Sequence, residues 1–233
     1  MPQPLLSRMM RGKILTIEGA DGSGKATQTT LLVKRLKAEG KNVKTLDFPQ
    51  YDSFFGQHVA KFLRGEYGSL DEVHPELASM LFAFDRYGMS RKLRAWLESG
   101  HIIVLNRYME SNMAHQGAKI FGRERRRDFI SWLYELEVER LGIPRSDLVI
   151  YLHVPTDISQ RIIRGRENKD YLQGKKKDIN EEDVEYQRRS VKTYLELCEQ
   201  FPHWRKVQCT EGGKLKSIGE IHELIWGLVQ QEL

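Results

Sequence analysis

Cysteines and long apolar runs are both scarce in this sequence, and their scarcity narrows the classes of protein that it can encode. Only two of the 233 residues are cysteine, Cys198 and Cys209, and no C-x-x-C pair occurs. This count disfavours a disulfide framework and a structural zinc site, and it is typical of a protein of the reducing cytoplasm. No stretch approaches the ~18 consecutive apolar residues that a spanning helix needs, so we expect no membrane partner.

The chain also lacks a large excess of charge of either sign. The chain has 37 Lys+Arg against 32 Asp+Glu, a formal net charge of +5. So small an excess suits a solvated surface or a protein with anionic ligands, and it leaves nucleic acid, nucleotides and acidic proteins open. We find no internal repeat and no low-complexity tract, and we therefore interpret residues 1–233 as one domain with a loose N-terminal extension over residues 1–12.

Short β-branched or apolar runs alternate with segments of helical periodicity along the whole chain. Strands are predicted near 13–18, 42–48, 101–106, 147–154 and 204–209, and helices near 27–39, 56–63, 75–98, 111–142, 156–166, 181–200 and 217–231. This alternation favours an α/β fold with a mostly parallel sheet and helices on both faces. In such sheets, ligands bind at the carboxyl ends of the strands.

A glycine-rich loop directly after the first strand satisfies the pattern G-x-x-x-x-G-K. Its backbone N–H groups can converge on an anion, the next helix adds its positive N-terminus, and Lys25 adds a mobile charge for terminal phosphates. Ala26 occupies the position of the usual Ser or Thr, whose hydroxyl binds Mg²⁺, and Thr27 comes one residue late. The predicted ATP-binding residues are Gly19, Ala20, Asp21, Gly22, Ser23, Gly24, Lys25, Ala26 and Thr27.

Other segments decide which kind of phosphate-loop protein this is. The N-K-x-D motif by which GTPases read their base is missing, as is the hydrophobic strand ending in two acids of ring-forming ATPases. Phe82 and Arg86 lie one helical turn (~5.4 Å) apart, which suits a nucleoside monophosphate that stacks on the ring and meets the guanidinium. A core phenylalanine beside a surface arginine is the alternative interpretation of this spacing.

A second polar segment follows the HIIVLN strand. Arg107 stands at the carboxyl end of that strand, where a phosphate would lie, and Ser111, Asn112 and His115 fall on one helical face. Such groups could read a base edge or a sugar. Capping or surface positions are the alternative for any one of them.

Together these segments resemble the thymidylate kinase family, from Lys13 to the terminal helix. The resemblance rests on EGADGSGK, FPQY, LFAFDR and RYxxSNxxHQG, which begin at Glu18, Phe48, Leu81 and Arg107. It implies a P-loop nucleoside monophosphate kinase fold with a five-stranded parallel sheet. It also implies transfer of the γ-phosphoryl group of ATP to dTMP with Mg²⁺, for dTTP synthesis, by a protein that is commonly a homodimer.

The resemblance also assigns roles to residues. Phe82 would stack on thymine, Arg86 and Arg107 would hold the acceptor phosphate, and Asp21 would meet the sugar 3′-hydroxyl or the metal shell. His115 stands where the family often has a tyrosine that disfavours ribose. The substrate-binding residues implied are Asp21, Phe48, Pro49, Tyr51, Phe82, Arg86, Arg107, Ser111, Asn112, His115 and Gln116.

The charged segment 161–183 is either a solvated loop or, beside a phosphate loop, a lid that closes on the transferring group. Family members with glycine at the position of Gly22 place a catalytic arginine in this lid. The catalytic residues implied are Lys25, Arg107, Arg161, Arg164 and Arg166.

Two departures from the family pattern concern the metal. Ala26 lacks the loop hydroxyl, and Asn106 replaces the acid that usually precedes Arg-Tyr. We therefore expect Mg²⁺ to be carried mainly by the ATP phosphates, with Asp21 or Glu181 completing its shell through water.

Three other functions compete with this one. A related monophosphate kinase with another base preference would use the same scaffold, and a nonenzymatic nucleotide-binding module would fit Ala26 and Asn106. The basic run Arg123–Arg127 could favour nucleic acid. Since acids are interspersed and aromatic residues are missing there, a solvated helix end is the better interpretation, and we expect no nucleic-acid partner.

Overall fold

The computed structural model describes residues 11–164, 170–174 and 178–233, and in these ranges a parallel sheet forms the centre of the chain. Five strands run in the order β2-β3-β1-β4-β5, each parallel to its neighbours. The strands are β1 (Lys13–Glu18), β2 (Val43–Asp47), β3 (Ile102–Asn106), β4 (Leu148–His153) and β5 (Trp204–Gln208). The five-stranded parallel α/β fold expected from the sequence is confirmed.

Helices connect the strands and cover both faces of the sheet. They are α1 (Lys25–Ala38), α2 (Phe54–Leu63), α3 (Pro75–Glu98), α4 (Met109–Gly117), α5 (Arg123–Tyr134), α6 (Thr156–Arg164), α7 (Ile179–Glu182), α8 (Val184–Gln200) and α9 (Ile218–Glu232). A π-helical turn, Glu135–Arg140, continues α5, and a 3₁₀ turn spans Asp170–Leu172. Among the described residues, none of the helices is both long enough and apolar enough to cross a bilayer.

Helix boundaries differ from the sequence-based ones where capping decides them. Helix α1 begins at Lys25 rather than Thr27 because Gly24, with φ of 84°, ends the preceding turn. The helices predicted across 111–142 are α4, α5 and the π-helical turn, with a loop over 118–122 between α4 and α5. A short antiparallel hairpin, β6 (Thr210–Glu211) and β7 (Lys214–Leu215), was not predicted. Of the expected N-terminal extension, residues 1–10 lie outside the described residues, and the amide of Gly12 donates to Leu97 O at 2.9 Å.

Alternating side chains of the strands build two cores. Ile14, Ile103 and Tyr151 face α3, α4, α5 and α8, whereas Ile17 and Leu152 face α1 and α9. Because helices cover both faces of the sheet, most of the buried side chains of the strands are apolar. The chemistry-bearing side chains are consequently found where the strands end.

Candidate active site

The glycine-rich loop joins the end of β1 to α1. The ammonium of Lys25, 8% exposed, donates to Gly19 O and Ala20 O at 2.9 Å each. A Cβ on Gly22 would lie 2.7 Å from Ser159 O, so only glycine lets α6 approach the loop this closely. Ala26 and Thr27 are exposed at the start of α1. The lysine is thus held inside the loop that would cradle a phosphate chain.

A cavity of about 360 Å³ opens beside this loop, and we call it the strand-end cavity. All the predicted substrate-binding residues line it, together with Lys25 and Ala26. They are Asp21, Phe48, Pro49, Tyr51, Phe82, Arg86, Arg107, Ser111, Asn112, His115 and Gln116. Side chains from four separate segments of the sequence therefore meet at the carboxyl ends of β1, β2 and β3.

Arg107 lies between the glycine-rich loop and α4. Its backbone has a φ of 64°, a left-handed conformation that is strained for a residue with a side chain. Its guanidinium donates to Asp21 Oδ1, and its Nη1 lies 3.1 Å from Ser111 Oγ and 3.2 Å from His115 Nε2. Burial alone would lower the pKa of Arg107, but Asp21, with Tyr194 and Glu18, raises it overall. The residue therefore carries a fixed positive charge aimed into the cavity.

Glu18 holds the turn between β3 and α4 in place, a role that was not predicted from the sequence. The carboxylate is fully buried and accepts hydrogen bonds from Tyr108 N (2.9 Å), Ser111 Oγ (2.7 Å) and Tyr194 Oη (2.8 Å). A charged residue inside the apolar run KILTIE was the available signal. Three donors to one carboxylate compensate its desolvation and fix the start of α4.

Arg86 is placed in the same cavity but is bound differently. Its Nε and Nη2 each lie 2.6 Å from the carboxylate oxygens of Glu137, and the two side chains are 3% and 0% exposed. Its Nη1 lies 3.4 Å from Tyr108 O. Burial alone would lower the pKa of Arg86, but Glu137 raises it. The pair presents N–H donors to the cavity with little net charge.

Aromatic and amide side chains form the wall near Arg86. Phe82 lines the cavity and contacts Phe62 at nearly right angles, with ring centroids 5.9 Å apart. Nδ2 of Asn112 donates to Ser79 O at 3.1 Å, whereas Asn112 Oδ1 and Gln116 Oε1 are buried with no hydrogen-bond partner in the described structure. Two unsatisfied acceptors therefore border the ring, a costly arrangement without a ligand that donates to them.

His115 is half-buried between Arg107 and α8. Tyr186 Oη donates to the carbonyl of His115 at 2.9 Å. Burial, together with the charge on Arg107, lowers the pKa of His115 to about 3. The imidazole is consequently neutral at pH 7 and accepts from the Arg107 guanidinium through Nε2.

The segment predicted as a lid is partly described, and its described part covers the cavity. Tyr171 stacks on Tyr51, with centroids 4.3 Å apart, and donates from Oη to Asp178 Oδ2 at 2.7 Å. Arg161 is exposed, and its Nη2 lies 3.8 Å from Asp157. The side chains of Arg164 and Glu181 and the whole of Arg166 lie outside the described residues, so their roles remain predictions. The position of Tyr171 could not be predicted from the sequence, because the ring on which it stacks, Tyr51, is 120 residues away.

Three oxygen-bearing side chains line the strand-end cavity at or just after the ends of β1, β2 and β3. Asp47 and Asn106 are register neighbours at the ends of β2 and β3, and both line the cavity with Asp21. Burial raises the pKa of Asp47, and a hydrogen bond from the Asn106 side chain opposes that rise. Asn106 Oδ1 is buried without a hydrogen-bond partner among the described residues. The family pattern has an acid at the position of Asn106, at the end of β3. In this chain, Asp47 supplies a carboxylate at the end of the neighbouring strand, β2.

Comparison with known proteins gives consistent matches across the chain. The family model described as thymidylate kinase matches residues 17–225. A thymidylate kinase of Mycobacterium tuberculosis is 33% identical over 188 residues, which cover 80% of this chain and 86% of that protein. A probable thymidylate kinase of Thermococcus gammatolerans is 35% identical over 227 residues, covering 95% and 98%.

A solved structure also has the same fold. The thymidylate kinase of Candida albicans superposes with a TM-score of 0.70 at 23% identity, covering 95% of this chain and 92% of that one. The glycine-rich loop and all residues that line the strand-end cavity lie within the range 17–225 that the family model matches.

Proposed function

This chain belongs to the thymidylate kinase family, and from that premise we propose that it phosphorylates dTMP with Mg·ATP. The bond between the γ-phosphorus and its bridging oxygen breaks, an oxygen of the dTMP phosphate forms the new bond, and ADP and dTDP leave. One observation carries the proposal: the cavity lined by every predicted substrate residue adjoins the lysine of the phosphate loop. Catalysis then consists of positioning and charge neutralisation without a covalent intermediate.

Base recognition is supported by the wall around Phe82. Thymine presents a flat ring for stacking, one N–H donor and two carbonyl acceptors. The unsatisfied oxygens of Asn112 and Gln116 can accept from the N–H, and Arg86 Nη1 can donate to a carbonyl. We assign Arg86 chiefly to this wall and give the acceptor phosphate mainly to Arg107, because Glu137 already neutralises Arg86.

Arg107 is suited to the acceptor phosphate because its partner can be exchanged. Asp21 and Arg107 are 20% and 18% exposed, so an incoming phosphate can compete for the guanidinium. Asp21 then becomes available to the sugar hydroxyl or to water on the metal. Lys25 neutralises the transferring phosphoryl group from the loop side, and the arginines of segment 161–166 complete the neutralisation from the lid.

The groups on the metal side fit a hydrated Mg²⁺ carried on the ATP phosphates. Mg²⁺ prefers oxygen ligands and keeps several waters, so carboxylates can hold it indirectly. Asp21 and Asp47 are such carboxylates, and the unpartnered Asn106 Oδ1 can accept from a metal-bound water. A bound ion would supply charge neutralisation on the phosphates, and Asp47, Asp21 and Asn106 would hold it through water in the absence of a hydroxyl at Ala26.

The metal assignment is tested by binding. Mn²⁺ affinity in the presence of a non-hydrolysable ATP analogue is measured by electron paramagnetic resonance. Asp47→Asn should weaken Mn²⁺ binding by about tenfold, the size typical of lost outer-shell partners, whereas Asp52→Asn, at an exposed position, should leave it unchanged. Equal affinities in the two variants would remove Asp47 from the metal side.

A homodimer is supported by an apolar face on α2 and α3. Phe54, Leu77, Phe84 and Tyr87 are 71%, 60%, 36% and 48% exposed, and the ring of Phe55 contacts those of Phe54 and Phe84. Light scattering after gel filtration should give twice the chain mass, and Phe84→Asp should give the monomer. Leu224→Asp, which charges an exposed leucine of α9, is the matched control.

We infer a cytoplasmic setting from the two free cysteines.

The catalytic proposal is tested by ADP release from Mg·ATP in the presence of dTMP. Lys25→Met should lower the rate by at least about 10²-fold, while Lys37→Met, exposed on the same helix, should not. Binding of both nucleotides without ADP release by the unaltered protein would favour the nonenzymatic module instead.

A further inference from the structure

A second cavity, of about 670 Å³, lies away from the glycine-rich loop. It is bounded by α4, by α5 with its π-helical turn, and by the segments that precede β4 and β5, and we call it the rear cavity. Nothing in dTMP phosphorylation requires it. Its walls combine apolar and aromatic side chains, among them Met113, Ile130 and Trp204, with several carboxyl groups.

Glu110 is the unusual group of this cavity. The residue is 2% exposed, it lines the rear cavity, and its Oε2 has no hydrogen-bond partner in the described part of the chain. Burial and the negative charge of Glu18 raise the pKa of Glu110 to about 8, and Ser146 only partly opposes the rise. Glu137, another negative neighbour, is already paired with Arg86. A buried carboxylate without a cation is costly, so Glu110 keeps its proton at pH 7 unless a ligand brings a positive charge.

The charges around the opening also favour a positive ligand. Glu135, Glu139 and Asp147 lie on the lining with Arg145, and Glu135 also pairs with Arg140, whose Nη2 lies 2.7 Å from its Oε1, so that three carboxylates face two arginines. Burial lowers the pKa of His203, the remaining basic group of the lining, so that it adds little positive charge at pH 7. The lining of the cavity is therefore acidic, and one of its acids, Glu110, is buried.

Aromatic residues complete the recognition surface. Tyr134, Phe201 and Trp204 line the rear cavity and give it π faces, which attract cations and pack against apolar groups. An inorganic cation would leave these apolar walls unfilled, and a neutral apolar molecule would leave Glu110 unpartnered. A molecule that carries a protonated amine on an apolar body satisfies both.

We propose that the rear cavity is a binding site for an organic ammonium ion, whose N–H groups donate to Glu110 Oε2 while its apolar body packs on Trp204. On binding, the protonated amine takes the place of the carboxyl proton of Glu110, which passes to solvent. The site is independent of the phosphoryl transfer proposed above.

Two probes of matched shape test the proposal, phenethylamine and the neutral 2-phenylethanol. Titrations are followed by the ¹⁵N indole signal of Trp204 at pH 7, and the signal is assigned with Trp204→Phe. Phenethylamine should shift this signal and bind about tenfold more tightly than the alcohol, because a charged hydrogen bond is added. An unmoved Trp204 signal, or equal affinities of the two probes, would overturn the proposal.

Variants locate the effect. Glu110→Gln keeps the shape of the side chain and should abolish the preference for the amine, whereas Glu98→Gln, at an exposed site of α3, should retain it. Retention of the preference by Glu110→Gln would overturn the assignment. Melting curves establish that the variant folds, and if it does not, the amine-to-alcohol ratio of the unaltered protein still decides.

Discussion

Two arginines of the strand-end cavity, Arg86 and Arg107, each pair with a carboxylate, but they do so at different depths. Arg86 and Glu137 are 3% and 0% exposed and make two parallel hydrogen bonds. Arg107 and Asp21 are 18% and 20% exposed and share further contacts with Ser111 and His115. One pair is closed to solvent, while the other stands where a ligand can replace a partner.

The difference indicates that the depth of burial decides whether a charged pair stabilises the fold or is available to bind a ligand. Breaking a buried pair strands a charge and costs far more than the pair itself contributes, whereas a partly exposed pair gives up its partner cheaply. Arg86 is therefore expected to act through stability and shape, and Arg107 through affinity for the acceptor phosphate.

The largest expected effect is on stability at the buried pair. Arg86→Gln leaves Glu137 without its cation, and we expect the free energy of unfolding to fall by about 3–5 kcal/mol, as measured by urea denaturation. Adding Glu137→Gln should restore most of the loss, because no charge then remains stranded. A single variant as stable as the unaltered protein would refute the structural role.

Arg107 should show the opposite pattern. Arg107→Gln is expected to lower kcat/KM for dTMP by about 10²–10³-fold, as loss of a group that stabilises transition-state charge does. Its unfolding free energy should change by no more than about 1 kcal/mol, since the pair is partly exposed. Steady-state kinetics and urea denaturation on the same sample would show whether the two effects separate; a large loss of stability with intact kinetics would reverse the assignment.

Phe82 tests the wall that Arg86 supports. Phe82→Ala should raise the KM for dTMP by about 10- to 100-fold, because stacking on a base contributes about 1–3 kcal/mol, and should leave the KM for ATP unchanged. Phe121→Ala removes a 72%-exposed ring elsewhere and serves as the control. A parallel rise in the KM for ATP would contradict a role confined to the acceptor.

The smallest effect concerns pH and the group beside Arg107. The pKa of His115 is lowered to about 3 from 6.5. Its stabilising contribution is therefore complete above pH 6.5 and is lost as the pH falls toward 3, by up to about 1.4 kcal/mol per unit. Between pH 7 and pH 5, urea denaturation should show the unaltered protein losing stability relative to His115→Gln. Parallel pH curves would indicate that His115 is not buried in its neutral form.

Local patterns were sufficient to predict the sheet and the glycine-rich loop, and together with the family resemblance they predicted the residues of the strand-end cavity. The spacing of Phe82 and Arg86 and the position of Arg107 after a strand are features of sequence order, and the fold preserves them. The partners were not predictable in the same way. Glu137 is 51 residues from Arg86, in a π-helical turn that no periodicity indicated, and its role exists only once α3 and the end of α5 pack together.

The carboxylate at the end of β2, Asp47, is a second feature of the site that could not be predicted from the sequence. The family pattern has an acid at the position of Asn106 on β3, whereas in this chain Asp47 on β2 lines the same cavity because the two strands pair in register. Registers between neighbouring strands arise from tertiary packing, so spacing along the chain could not reveal the exchange.

The central claim is tested most directly by the identity of the preferred acceptor. Product formation from Mg·ATP is measured by chromatography with dTMP, dUMP, UMP, dCMP and AMP at equal concentrations, with Lys25→Met as the background. We expect dTDP to form with the highest kcat/KM of the panel and the variant to form no product above background. A preference for AMP or dCMP over dTMP would contradict the account.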